Sequence, residues 1–535
     1  MAARHMLHGN RSAGHMVGRY LGAIFNAGLV TGICMLVACA PLGGAGSKGD
    51  RPTATSAKQD YLWLNRITWG ANTSSARQLE QQGRASWLQQ QLQPQLSARL
   101  PEPAETAVRS MTISQTPMQE LVARMDQQRR DADAIADDAD KKKAQQAYQA
   151  EMNRLAREAA TRHVLRALYS PAQVQEQMTW FWLNHFNVHQ YKSNLRAMLG
   201  DYEDAALRTH ALGRFRDLLG AATYHPAMLR YLDNEQNAQG RINENHAREL
   251  MELHTLGVDG GYTQKDVQEL ARVLTGVGVN ISGAAPPVRK ELARLVVRRG
   301  LFEFNPQRHD MAPKTLLGSA VRGEGLQEVD AALDMLARHP ATARFVSRKL
   351  VQYWLTDTPP DALVERMVST WRASDGQIAR VLETLFTATE FTSTTQGKFK
   401  DPLRYVVSSV RLAYDDKVVL NTAPMIGWIN RMGEPLYGHQ TPDGYSLLAS
   451  AWDSPGQLTT RFEIAKAIGS GSAGLFRAEG AQNNVRPAFP QLANALYYQA
   501  IEASLSGPTR GALEQANSAQ EWNTFLLASP EFMRR

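Results

Sequence analysis

Residues 118–169 contain no glycine and no proline and are rich in Ala, Gln, Arg, Asp and Lys. Nothing in that stretch breaks a helix, so it is expected to form one long helix or a helical hairpin. Its charges, among them Asp131, Asp133, Asp137 and Asp138, are most simply a solvated face. The rest of the chain alternates helical periodicity with short breaks at Ser170-Pro171, His225-Pro226, Gly260-Gly261, His339-Pro340, Pro359-Pro360, Asp375-Gly376 and Asp401-Pro402. Residues 295–304 are the best strand candidate and read as a hairpin inserted between helices. There is no internal repeat and no βαβ rhythm. The expected fold is mainly α, a large multi-helix body with a small β-hairpin insert, and about 480 structured residues leave room for two lobes.

Residues 1–38 have the form of an export signal, with Arg4, Arg11 and Arg19 ahead of an apolar run broken only by Asn26 and Thr31. Leu36, Val37, Ala38 and Cys39 resemble a lipobox, in which the cysteine receives lipid and becomes the mature N-terminus. An uncleaved membrane anchor is the alternative, because the apolar run approaches the roughly 20 residues that span a bilayer. Ala40, rather than aspartate, follows the cysteine, which points to a lipid anchor at the periplasmic face of the outer membrane. Residues 39–57, rich in Gly, Ser, Pro and Thr, read as a flexible tether, and residues 58–535 as the folded body with a charged helical insert at about 118–168.

The chain has two cysteines, Cys34 inside the signal and Cys39 at the lipid site. A processed chain would carry no thiol, which removes cysteine nucleophiles, disulfides and thiolate metal sites from consideration. Any metal would be held by histidine, carboxylate or amide oxygen. The formal charge of +7 falls to +4 once the three signal arginines are removed, 56 basic against 52 acidic residues. With no dense basic block interleaved with aromatics, no nucleic-acid partner is expected.

The segment 241–257 concentrates His246, His254, Glu244, Glu249, Glu252, Asn243 and Asn245 in what reads as one helix. Its Asn-Glu-Asn, Ala-Arg-Glu-Leu and Glu-Leu-His-Thr-Leu-Gly runs resemble the core signature of bacterial domain-of-unknown-function family 1800. The resemblance extends from residues 61–70 through 181–188, 225–234, 259–267, 271–276, His309-Asp310 with Lys314, and 339–343 to 527–532. Two departures are the charged insert near residue 135, which looks peripheral, and His246, where relatives often carry an aromatic. The resemblance implies no reaction. It does imply a candidate partner, since members often occur beside proteins of a second uncharacterised family, number 1501.

Four polar clusters could carry chemistry. His185 and His189, four apart, would share a helix face and bind one metal, or else rim an aromatic core of Trp180, Phe181, Trp182 and Phe186. On the signature helix, Glu249 lies three residues from both His246 and Glu252, and the alternative to a site is a buried network in which the glutamates pair with Arg241, Arg248 or Arg272. Asp233 and Asn234 could reach the same cavity or cap a turn. His309 and Asp310 suit proton transfer from a loop, with surface hydrogen bonding as the alternative. The resulting candidate set has His185, His254, Glu249 and Asp233 holding a divalent metal, and Glu249, Glu252, His309 and Asp310 acting catalytically. The competing reading is a non-enzymatic envelope scaffold. No Gly-x-Ser-x-Gly, P-loop, Gly-x-Gly-x-x-Gly or His-Glu-x-x-His motif supports another enzyme class.

Overall fold

In the computed structural model, helix follows helix along a chain described over residues 54–93, 98–394, 397–415, 417–477 and 489–535. The expected signal, Cys39 and most of the tether lie outside those residues. Helix α1 (Ala54–Ile67) begins within the last residues expected to belong to the tether. No helix among the described residues is long and apolar enough to cross a membrane. The described residues form one unit.

The glycine-free stretch is a hairpin of α2 (Met118–Ala134) and α3 (Asp138–Tyr169). Asp137 starts the second helix by accepting a hydrogen bond from the Asp140 amide at 2.9 Å. Near the turn the charges pair along the surface, as in Arg130 with Asp126 at 2.8 Å. The second half of α3 is different, because Arg162 and His163 are buried in it. The insert is therefore peripheral only at its tip. His163 Nδ1 lies 3.1 Å from Glu203, which also accepts a bond from the Tyr437 hydroxyl, in a π-helical segment Tyr202–Arg208.

Helix α4 (Gln173–His185) is buried at every position, consistent with aromatic and aliphatic residues on all its faces. It stops where Phe186 adopts φ −104, ψ 52, and the Phe186 carbonyl accepts the Tyr202 hydroxyl at 2.6 Å. The next helices used here are α5 (Asn245–Glu252), α6 (Gln264–Val273), α7 (Leu326–Arg338), α8 (Pro340–Trp354) and α9 (Pro402–Tyr414). Asp401 caps α9 by accepting the Arg404 amide at 2.7 Å, and Pro402 occupies its first turn. From there the fully buried Arg404 side chain donates to the Thr68 carbonyl at 2.9 Å, to Gln177 Oε1 and to the Tyr353 hydroxyl at 3.2 Å. One guanidinium thus joins α9 to the turn after α1, to α4 and to α8.

The β insert is larger than the expected hairpin. Strands β2 (Val297–Arg299) and β3 (Phe302–Phe304) pair across Gly300, whose φ of 64 suits a tight turn, and β1 (Val277–Val279) adds to the other edge of β3. A central glycine made β1 unreadable as a strand. A second ladder joins β4 (Thr315–Leu316) to β5 (Ser319–Ala320). The two ends of the described body meet: Asn65 donates to the Arg534 carbonyl at 3.1 Å, and Phe399 bridges Arg534.

Candidate functional site

The asparagines of the signature hold the backbone in place. Asn234 donates to the Val277 carbonyl at 2.8 Å and Asn237 to the Ala271 carbonyl at 2.8 Å. Asn243 and Asn245 reach back to the carbonyls of Asp233 at 3.3 Å and Leu232 at 3.2 Å. These amides satisfy carbonyls at the ends of neighbouring elements, and the helix spans Asn245–Glu252 instead of the whole segment 241–257. His254 therefore lies in a turn beyond the helix, its amide bonded to the Glu249 carbonyl at 3.1 Å.

That turn brings two of the expected ligands together. His185 Nε2 donates to the His254 carbonyl at 3.0 Å, and the two rings are 6.0 Å apart among Phe186 and Phe345. His189 does not join them on a helix face, because α4 ends at His185. Burial holds both His185 and His254 well below the usual imidazole range, and the nearby Lys349 acts in the same direction. His246 is equally buried and is lowered to about 4 by desolvation. His185 Nδ1, His254 Nε2 and both nitrogens of His246 have no hydrogen-bond partner.

Glu249 and Glu252 are half-buried, and neither forms an ion pair with an arginine among the described residues. Arg248 is taken by Glu244 at 3.0 Å, Arg272 by Glu269 at 2.8 Å and Asp310 at 2.7 Å, and Arg241 is exposed. The expected arginine network around these glutamates is therefore absent. Instead, burial and the neighbouring Glu252, with a smaller contribution from Asp443, raise the Glu249 carboxyl against the opposing charge of Arg248. Asp443 behaves oppositely: burial would raise it, yet hydrogen bonds from Thr441 at 2.5 Å and His439 at 3.1 Å leave it lowered.

The loop carrying Asp443 is pinned to the end of α4. Asn187 donates to the carbonyls of His439 at 3.1 Å and Thr441 at 2.8 Å, and the Tyr231 hydroxyl donates to the Gln440 carbonyl at 2.8 Å. Gly444, at φ +74, presses so closely on the Asn184 carbonyl that a Cβ would fall 2.1 Å from that oxygen. Burial also pushes the Tyr231 phenol up, with Glu249 and Asp443 adding to the effect. Lys349 of α8 completes the group: desolvation lowers its amine to about 8, opposed by Asp443. Asp443, itself largely exposed, is thus the charge that acts on both Glu249 of α5 and Lys349 of α8.

The other expected residues are engaged elsewhere. Asp233, at φ 59, accepts Lys192 Nζ at 2.6 Å. His309 Nε2 lies 3.2 Å from Glu328, which also receives Lys314 Nζ at 2.6 Å, and Asp310 pairs with Arg272. Those contacts fasten the loop after the β insert to α6 and α7. No group of three or more His, Cys, Asp or Glu among the described residues is arranged to hold a metal ion. The proposed quartet of His185, His254, Glu249 and Asp233 accordingly does not assemble as a ligand set. Asp443, whose charge acts on both Glu249 and Lys349, was not singled out in the sequence, and the Asp-Gly turn at 443–444 was the one local hint of a specially shaped loop.

These features define a mainly α protein whose signature helix carries two half-buried glutamates with no arginine ion pair among the described residues. The chain belongs to the family described as protein of unknown function (DUF1800), whose model matches residues 62–534. No curated protein and no solved structure matches it.

Proposed function

We propose that this is a lipid-anchored envelope enzyme that transfers protons at the carboxylate pair Glu249 and Asp443. The observation that carries the reading is the pair of half-buried glutamates without a cationic ion-pair partner, facing a third carboxylate. Unpaired buried charge costs stability and is tolerated where it serves a purpose. Two carboxyls driven in opposite directions suit an acid and a base: Glu249, held upward, donates to a leaving group, and Asp443, held downward, receives a proton from water. The activity would be bell-shaped in pH, falling on the acid side as Asp443 protonates and on the alkaline side as Glu249 ionises.

The test is hydrolysis in ¹⁸O-labelled water, using the full chain in detergent with solubilised cell-envelope fractions and mass spectrometry of the products. Glu249→Gln and Asp443→Asn are each expected to lose on the order of 100-fold in label incorporation without loss of folding. Unchanged incorporation in both variants would reject the assignment. No incorporation by the unaltered protein would favour the scaffold reading, with a family 1501 protein as the candidate companion.

The anchor is part of the same proposal and rests on the order of basic, apolar and small residues before Cys39. Cys39→Ala is expected to abolish labelling by radioactive palmitate and to release the protein from outer-membrane fractions. Retained lipid in that variant would overturn it.

A further inference from the structure

Beside α1 lies a cavity of about 110 Å³ whose walls are mainly apolar, with Leu62 of α1 joined by Ile501, Leu505, Leu526 and Phe532. Three guanidiniums also line it, those of Arg66, Arg534 and Arg535, and none of them forms an ion pair among the described residues. Arg66 and Arg535 are 3% and 2% exposed, and Arg66 Nε, Arg535 Nε and Arg535 Nη1 have no hydrogen-bond partner. Their remaining nitrogens meet neutral groups: Arg66 donates to the Phe391 and Thr394 carbonyls at 2.6 and 3.3 Å, and Arg535 to the Tyr353 carbonyl. Arg534, exposed at the rim, donates to the Gly397 carbonyl at 3.0 Å. Each guanidinium also lies over a ring, Arg66 over Phe391 at 5.1 Å, Arg534 over Phe399 at 6.0 Å and Arg535 over Tyr353 at 4.9 Å, which places the charge without neutralising it. Desolvation lowers Arg66 to about 10, with no carboxylate opposing it. The acid on the wall, Glu531, is already engaged, its two oxygens accepting the Ser506 amide at 2.9 Å and the Thr509 hydroxyl at 2.8 Å.

We infer that this cavity binds a carboxylate carried on a single short alkyl chain, with the head among Arg66, Arg534 and Arg535 and the chain against Leu62, Leu505 and Leu526. A buried cation without an anion is costly, and a bound carboxylate supplies the anion. The planar fork of a guanidinium matches the two oxygens of a carboxylate. The volume limits the chain: an apolar cavity of about 150 Å³ holds one benzene, so a chain of a few carbons fits here and a two-chain lipid does not. The site involves neither Glu249 nor Asp443 and stands whether or not they transfer protons.

The experiment is titration calorimetry of the full chain in a nonionic detergent at pH 7, against a detergent-only blank, with hexanoate, acetate and hexanol as probes. Hexanoate is expected to bind at one site, at least about 10-fold more tightly than acetate, which lacks the chain, or hexanol, which lacks the charge. Arg534→Gln removes the rim charge and should weaken hexanoate about 5-fold with an unchanged unfolding temperature. Ser504, half-buried on the cavity wall, offers a way to fill the space: Ser504→Leu should abolish hexanoate binding, and Ser504→Ala should retain it. No saturable binding of hexanoate, equal affinity for acetate or hexanol, or undiminished binding by a folded Ser504→Leu variant would overturn the inference. Should the leucine variant not fold, undiminished hexanoate affinity in Arg534→Gln overturns it equally.

Discussion

Replacing His246 with phenylalanine is expected to stabilise the protein, and to do so increasingly as the pH falls from 7 to 4. His246 is 1% exposed, and neither ring nitrogen has a hydrogen-bond partner. Removing two unsatisfied polar atoms should gain about 1 to 2 kcal/mol at pH 7, provided the larger ring repacks without strain. The pH term follows from the lowered imidazole. In the unfolded chain this side chain takes a proton near 6.5, whereas in the folded protein it resists until about 4. Stability linked to the neutral ring is present above 6.5 and is lost as pH falls toward 4, because the unfolded state binds the proton first. At about 1.4 kcal/mol per pH unit, the loss is on the order of 3 kcal/mol. Phenylalanine cannot titrate, so the advantage of the variant should widen by that amount. Urea unfolding at pH 7, 5.5 and 4 measures it, and a constant difference across the series would show that His246 is protonated or solvated in the fold.

Arg404→Leu should be among the most damaging substitutions in the chain. The guanidinium is fully buried and lies over the rings of Trp69 at 5.2 Å and Tyr353 at 5.5 Å, while its hydrogens reach Thr68, Gln177 and Tyr353. Truncation strands the Thr68 carbonyl and Gln177 Oε1 in the core, and removes the group that locks three elements onto α9. Losses of this kind run to about 3 to 5 kcal/mol. Arg404→Lys should recover little, since an ammonium on a single stem cannot reach acceptors that diverge across a planar fork. Denaturant midpoints for both variants decide the matter: a shift of less than about 1 kcal/mol for the leucine variant would show that the neighbours re-pair without it.

Helical architecture was legible because it is written locally, in the spacing of apolar residues and in where glycine and proline fall. The hairpin of α2 and α3 follows from their absence over residues 118–169, and its single break comes at residues 135–137, where Asp137 competes for the backbone. The signature segment was harder to read. Its asparagines looked like site chemistry, yet they bond to backbone carbonyls, which cuts the helix to Asn245–Glu252 and moves His254 off the expected face. Pairing preferences misled for the same reason: Arg248 and Arg272 do sit near the signature, but Glu244, Glu269 and Asp310 reach them first. Lys349 resembles any helical lysine in sequence, and Asp443 any turn aspartate. That Asp443 acts on both Glu249 and Lys349 depends on Asn184, Asn187 and Gly444 fixing one loop against α4, a contact across more than 250 positions. No window along the chain contains that information.

The hydrogen bond from Asn65 to the carbonyl of Arg534 spans 469 positions. Contacts of such separation are entropically late, because the whole intervening chain must be gathered before they form. A chain threaded through a membrane pore from its N-terminus would deliver Asn65 and Arg66 long before their partners Arg534 and Phe391. Its first helix would wait on the far side with Trp63, Leu64 and Ile67 uncovered. If the chain is exported as proposed, the vulnerable interval is the passage itself, when helix α1 is already exposed to proteases and chaperones and the segment that shelters it has yet to arrive.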